Sequence, residues 1–217
     1  YPGAVTLIAK NGKIIYESEV GWSDSLKTEP YRKDHLFRMA SMTKPIVSVA
    51  AMQLIEKGKM SLDDLVSKYI PSFNETEVLT SFNAADTTFT SKPSKTTPTI
   101  RQLLTHTAGV PYGFMNPPVY GAILAKNNIP DLSTYLPLTI EETMSKMGNL
   151  PLAHEPGKKW QYGLNTDVLG RVIEVVSGEK LDVYIQKNIL NPLDIDMLDF
   201  YFDSSQKSNL TKVFVPN

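Results

Sequence analysis

At 217 residues, 41% hydrophobic and 21% charged, the chain has the composition of an ordinary globular protein with ample material for a core. Its 22 basic and 23 acidic side chains leave a net charge of −1, which removes the electrostatic case for nucleic acid or an anionic membrane as partner, and no apolar run reaches the length of a membrane span. The lack of cysteine excludes disulfides, thiolate metal sites and a cysteine nucleophile.

The segments Val5 to Lys10 and Lys13 to Val20 are rich in β-formers and flank Asn11-Gly12, a type I′ turn signal, so the chain opens with an antiparallel hairpin. Tyr1-Pro2-Gly3 leads almost directly into that strand, as expected of a chain whose natural start has been removed, which leaves room for a lost export signal; the compartment stays unknown, the periplasm or cell exterior slightly favoured over the cytoplasm. A polar loop with Trp22 follows. Ile46 to Ile55 reads as a helix apolar on nearly every side, hence buried, ending at Gly58. Ser61 to Tyr69 predicts a short amphipathic helix stopped by Pro71, and the Ser- and Thr-rich stretch Phe73 to Pro98 a long surface excursion.

Thr99 caps a short helix through His106. His106, beside Thr105 and Thr107, reads as a structural histidine rather than a base. Pro111 to Pro137, with Tyr112, Phe114, Tyr120 and Tyr135, has the composition of a wall over a pocket, and Tyr112 is a candidate substrate contact. Thr139-Ile140-Glu141-Glu142 is a capping box opening a helix to about Met147. Glu155-Pro156-Gly157 makes a turn and Trp160-Gln161-Tyr162 a short extended piece. Thr166 is the expected cap of a helix running to Gly178, another helix runs from Leu181 to about Leu190, and Phe200-Tyr201-Phe202 reads as a strand or buried aromatic loop. The whole is α+β: a hairpin at residues 4–20 and a mostly helical region over about 60–190. Two strands are too few for a sheet, so further strands are expected to be missing from this chain.

The chemistry concentrates at Ser41-Met42-Thr43-Lys44-Pro45. Residues three apart on a helix have Cβ atoms roughly 5–6 Å apart, so an amine at Lys44 reaches a hydroxyl at Ser41. Pro45 clashes with a helical carbonyl at Ser41, so the regular helix starts near Lys44 and Ser41 sits at its positive end, where free N–H groups favour a developing oxyanion. Partial burial is expected to lower the Lys44 pKa toward the neutral form that a base requires. The histidines His35, His106 and His154 are scattered and form no metal motif, and no cofactor is expected.

Three stretches, Leu36 to Pro45, Arg101 to Gly109 and Glu155 to Tyr162, together resemble the serine β-lactamase-like superfamily, most closely the family VIII carboxylesterases related to class C β-lactamases and D,D-peptidases. The resemblance implies a β-lactamase/transpeptidase-like fold: an antiparallel sheet flanked by helices plus a helical region, as a single catalytic domain over 1–217. It implies Ser41 as acylated nucleophile, Lys44 as its proton acceptor and Tyr162 as the phenol sharing that proton, a Lys-Tyr pair doing what histidine does in other serine hydrolases. Leu164 stands where the lactam-recognising relatives carry the asparagine of Tyr-x-Asn, with Asn165 one place later; both are candidate substrate-binding residues, and leucine there tilts the expectation from lactams toward esters. The family's third motif, Lys-x-Gly or an equivalent on a closing strand, has no counterpart before Asn217, so the chain is expected to be incomplete at its C-terminus, or partnered by a second C-terminal segment of the same protein. The expected function is a serine carboxylesterase acting on small short-chain esters; the alternatives are a β-lactamase or D-amino-acid peptidase, and a non-catalytic penicillin-binding-like relative.

Overall fold

The structure is a computed structural model and describes residues 2–132, 134, 136–201 and 204–213. The chain divides into two compact units, Tyr1–Ser41 with Ile195–Asn217, and Met42–Asp194.

The smaller unit is built on a hairpin of β1 (Gly3–Lys10) and β2 (Lys13–Gly21). Asn11 and Gly12 both have positive φ, 52° and 72°, which a type I′ turn needs at both central positions. Large apolar side chains stand exposed on the ribbon, among them Leu7, Ile8, Ile14, Ile15 and Tyr16. After the hairpin, the Asp24 carboxylate accepts the N–H groups of Thr28 and Glu29, both at 2.9 Å, and so closes the polar loop on itself. The segment leading to Ser41 is stitched to residues 209–211. Leu36 N–H donates to Asn209 O at 2.8 Å, Thr211 N–H returns to Leu36 O at 2.9 Å, and the Arg38 guanidinium donates to Thr211 O at 2.8 Å. Phe200 and Tyr201 are exposed and lie outside any strand, so they form neither a strand nor a buried aromatic loop; Phe202, like Tyr135, lies outside the described residues.

The larger unit holds α1 (Thr43–Glu56), a second hairpin of β3 (Glu77–Asn83) and β4 (Thr88–Pro93), then α2 (Ile100–Leu104), α3 (Ala122–Lys126), α4 (Ile140–Met147), α5 (Asn165–Ser177) and α6 (Leu181–Ile185). Its core lies where α1, α2, α4 and α6 pack on α5. Val168, Leu169, Val172 and Ile173 of α5 are buried there with Val47, Ala50, Ala51 and Leu54 of α1. That α1 stripe has the i, i+3, i+4, i+7 spacing of one face. Val49 and Met52 stand about half exposed on the other side, so α1 is apolar all round but buried on one face only, not on all sides as its composition predicts.

Four further expectations change. Residues 61–69 form turns and the short 3-10 helix Val66–Lys68 rather than an amphipathic α-helix, because the Asp64 carboxylate accepts the Ser61 N–H (2.8 Å), the Tyr69 hydroxyl (2.5 Å) and the Lys68 amine (3.0 Å), while extended Leu65 bridges to Thr99. The polar excursion contains the β3–β4 hairpin; its pairing is reinforced by hydroxyls, with Thr80 and Ser81 both bonded to Thr90. The helix assigned to a Thr166 cap starts two residues earlier, with Leu164 in the cap position and its carbonyl taking the Asp167 and Val168 N–H groups. The capping boxes at Thr99–Gln102 and Thr139–Glu142 form in full, and α6 continues as a wide turn through Leu190 before Pro192. The segment from Pro111 to Pro137 is less irregular than its prolines indicate, since α3 and the wide turn Pro117–Gly121 lie inside it.

Candidate active site

Ser41 lies in the 3-10 turn Ala40–Met42, which runs straight into α1, and is exposed. Pro45 accounts for that tight turn, since a regular α-turn at Ser41 places the proline ring against its carbonyl. Ala40, immediately before the serine, has φ +45°, a left-handed conformation that a residue with a Cβ adopts only at a cost, of the kind stored at functional sites.

Within the larger unit, Lys44 is the second residue of α1 and its amine is placed among phenols. Its Nζ donates to the Tyr112 hydroxyl at 3.1 Å and lies over the Tyr162 ring, 4.7 Å from the centroid. The Tyr112 and Tyr162 rings are 5.4 Å apart. Burial pulls the Lys44 pKa down, but hydrogen bonding to Tyr162 and Tyr112 more than offsets it, and the amine ends above the ordinary lysine value. The expected neutral amine is therefore not what this arrangement produces: Lys44 is an ammonium. Burial pushes the Tyr112 phenol up, helped by the Asp167 charge and opposed by Lys44, so Tyr112 keeps its proton.

Two strips of main chain fix Tyr162. Residues 106–109 run beside 153–161, with Ala153 N–H on Gly109 O, Gly157 N–H on Thr107 O and Gln161 N–H on His106 O, each at 2.8 Å. Gly163 must be glycine here, because a Cβ on it would stand 1.9 Å from Val110 O. Tyr112 is held by a carboxylate: Asp131 accepts the Gly113 N–H at 2.6 Å and the Phe114 N–H as well, clamping the turn that carries the phenol.

Asp167 enters from the first turn of α5. Although the residue as a whole is half-buried, its carboxyl is desolvated, and its pKa rises from 3.8 to about 6, with the Lys44 charge holding it down and Asp131 adding to the rise. Neither acid carries a sequence signal for this role. Asp131 sits in a proline-rich stretch without periodicity, and Asp167 feels the Lys44 charge from the first turn of α5, a contact between segments distant in the chain.

Of the predicted substrate-binding residues, Tyr112 touches the Lys44 amine, whereas Leu164 and Asn165 point inward, 3% and 0% exposed. Asn165 Nδ2 is 3.3 Å from Val110 O and 3.1 Å from His106 Nδ1. The His106 ring lies 4.9 Å from the Tyr162 ring and 6.2 Å from Trp160, whose indole is 65% exposed. Among the described residues, no cluster of His, Asp and Glu is placed to hold a metal ion, and no helix is long and apolar enough to cross a membrane.

The Beta-lactamase family model matches residues 1–216. The chain belongs to the β-lactamase family. Its likenesses within that family include esterases and acyltransferases. Esterase EstB of Burkholderia gladioli is 34% identical over 191 residues, covering 88% of this chain and 45% of that protein. Among solved structures, EstCE1, described as a hydrolase with promiscuous acyltransferase activity, superposes with a TM-score of 0.80 at 32% identity over 97% of this chain and 51% of its own. Simvastatin synthase (LovD) of Aspergillus terreus gives 0.76 at 26% identity, over 97% of this chain and 52% of its own. The chain thus has the β-lactamase/transpeptidase-like α+β fold and spans about half the length of the relatives it matches.

Proposed function

We propose that the full-length protein is a serine hydrolase that cleaves short-chain carboxylic esters through an acyl group on Ser41. The observation that carries this reading is the Lys44 amine held between two phenols, 3.1 Å from the Tyr112 hydroxyl and 4.7 Å from the Tyr162 ring centre. In this mechanism the Ser41 oxygen attacks the ester carbonyl carbon while its proton passes to the phenol oxygen of Tyr162, which the Lys44 ammonium stabilises as phenolate. The same proton then goes to the departing alkoxide, and water attacks the acyl-serine by the reverse route. Tyr112, kept protonated by burial, donates or accepts hydrogen bonds without carrying the proton away.

Two features support an ester over a lactam or peptide. Leu164 brings no amide to recognise an acylamino side chain, and the Asn165 amide is already turned onto His106 and Val110. A substrate amide finds no partner at either residue, whereas a simple ester asks for none. The names of EstB and EstCE1 agree with ester chemistry, and that of EstCE1 adds transfer of the acyl group to an acceptor other than water, which the same acyl-serine permits. Turnover of p-nitrophenyl acetate and butyrate, with nitrocefin and a D-Ala-D-Ala peptide as competitors, tests the reading. Ester turnover at least about 10²-fold above lactam turnover, lost in Ser41→Ala, is expected; a lactam preference reverses the substrate assignment, and undiminished ester turnover in the mutant removes the serine mechanism.

A further inference from the structure

We propose that His106 is a positioning residue: a neutral imidazole, fixed as the Nε2–H tautomer by the buried Asn165 amide, whose ring and carbonyl together hold Tyr162 in place. The kinetic part of this rests on reading Tyr162 as the proton-carrying phenol; the tautomer does not.

The orientation of the Asn165 amide decides the tautomer. Its side chain is wholly buried, and one of its two polar atoms lies 3.3 Å from Val110 O. A backbone carbonyl only accepts, so the atom facing it is the NH2 group. That group has two hydrogens, one for Val110 O and one for the His106 nitrogen 3.1 Å away. His106 Nδ1 is then an acceptor, and the ring proton sits on Nε2. The opposite rotation sets two oxygens 3.3 Å apart and turns the NH2 group to the place where Asn165 Oδ1 now finds no hydrogen-bond partner.

With Nδ1 occupied as an acceptor and Nε2 already protonated, the ring has no lone pair for the Ser41 proton. A second proton on Nδ1 would meet the N–H of Asn165. Burial, and after it the Lys44 charge, also hold the His106 pKa below the ordinary histidine value. Lys44 is the charged group facing the ring, and a neutral neighbour adds no second cation beside it.

What the ring does instead is visible in its contacts. It packs against Tyr162 with centroids 4.9 Å apart and a 43° tilt, and edge-on to Trp160. Its own carbonyl takes the Gln161 N–H, one residue before Tyr162. The residue that makes both contacts sits at φ +53°, a conformation that side chains with a Cβ rarely adopt. One residue thus fixes the main chain leading to the phenol and one face of its ring.

Nitrogen NMR of the 15N-histidine-labelled full-length protein tests the tautomer directly. One histidine is expected with unprotonated Nδ1 and protonated Nε2 at about pH 7.5, assigned by its loss in His106→Gln; an Nδ1–H signal, or an imidazolium at that pH, overturns the proposal. Kinetics test the role. His106→Ala is expected to lower kcat on p-nitrophenyl butyrate about 10²-fold with KM nearly unchanged, and His106→Gln, whose carbonyl is a neutral acceptor for Asn165, to recover at least about tenfold of that. A Gln variant as impaired as Ala, or an Ala variant with wild-type kcat, overturns it. Failure of the serine mechanism shows separately, as turnover surviving in Ser41→Ala whatever the imidazole signal.

Discussion

Lys44 illustrates how two opposing effects are decided at one side chain. Burial disfavours its charge, yet the phenols of Tyr112 and Tyr162 supply hydrogen bonds to the ammonium, and these win. The proposed proton relay therefore needs a phenolate stabilised by a cation, and a guanidinium is a poor substitute, because its charge is spread over a planar fork rather than concentrated in a compact ammonium. Lys44→Arg is expected to lower kcat/KM by at least about 10³, measured on p-nitrophenyl butyrate, and Tyr162→Phe by about 10²–10⁴. Strain at Ala40 gives a second test at this scale. Holding a residue with a Cβ at φ +45° costs roughly 1–2 kcal/mol, and glycine removes that cost but loses about 0.5–1 kcal/mol of backbone entropy. Ala40→Gly should leave stability within about 1 kcal/mol of the parent in urea unfolding, whereas Ala40→Val should cost about 2 kcal/mol or more. Ser41 and Lys44 are legible in the sequence as candidates because the Ser-x-x-Lys spacing marks them, and Tyr162 because the family resemblance implies it. Asp131, Asp167 and the inward turn of Asn165 are not, because each gains its place from a contact between segments distant in the chain.

Among the elements, the turn carrying Tyr112 depends on a single carboxylate. Asp131 accepts two successive N–H groups at Gly113 and Phe114, charge-assisted bonds whose loss leaves donors unpaired. Asp131→Ala is expected to destabilise the fold by roughly 2–3 kcal/mol and to lower kcat as Tyr112 loosens from Lys44; urea unfolding alongside steady-state kinetics reads both. Legibility at this scale follows local chemistry. Asn11-Gly12, the capping boxes at Thr99 and Thr139, and the stop at Gly178 act within a few residues, and all form as the sequence predicts. The β3–β4 hairpin is hidden in the sequence because its strands carry hydroxyls on both sides and no apolar alternation. Residues 61–69 imitate a helix because the Asp64 carboxylate closes a turn that hydrophobic spacing does not register. For α1, composition describes the whole surface of the helix while α5 and α6 take up only one stripe.

At the level of the molecule, the sequence carries the family more surely than the strand count: three separated motifs in order point to the β-lactamase fold, while the described strands form two separate two-stranded sheets rather than one. Global stability offers a pH signature. Asp167 ionises near 3.8 when unfolded and near 6 in the fold, so the folded state disfavours its charge. The resulting penalty is absent below about pH 4, grows as pH rises to about 6, and levels off above that at about 3 kcal/mol, the free-energy equivalent of the gap between the two ionisation points. Asp167→Asn is therefore expected to raise the urea midpoint at about pH 7.5 and to leave it nearly unchanged at about pH 4; an equal change at both values would assign the effect to packing rather than charge. Every kinetic expectation above requires that Ser41 become acylated. Intact-mass measurement of the full-length protein, quenched during turnover of p-nitrophenyl butyrate and followed by peptide mapping, tests this most directly. A single butyryl adduct on the peptide containing Ser41, absent from Ser41→Ala, is predicted; turnover with no adduct, or with the adduct on another residue, would contradict it.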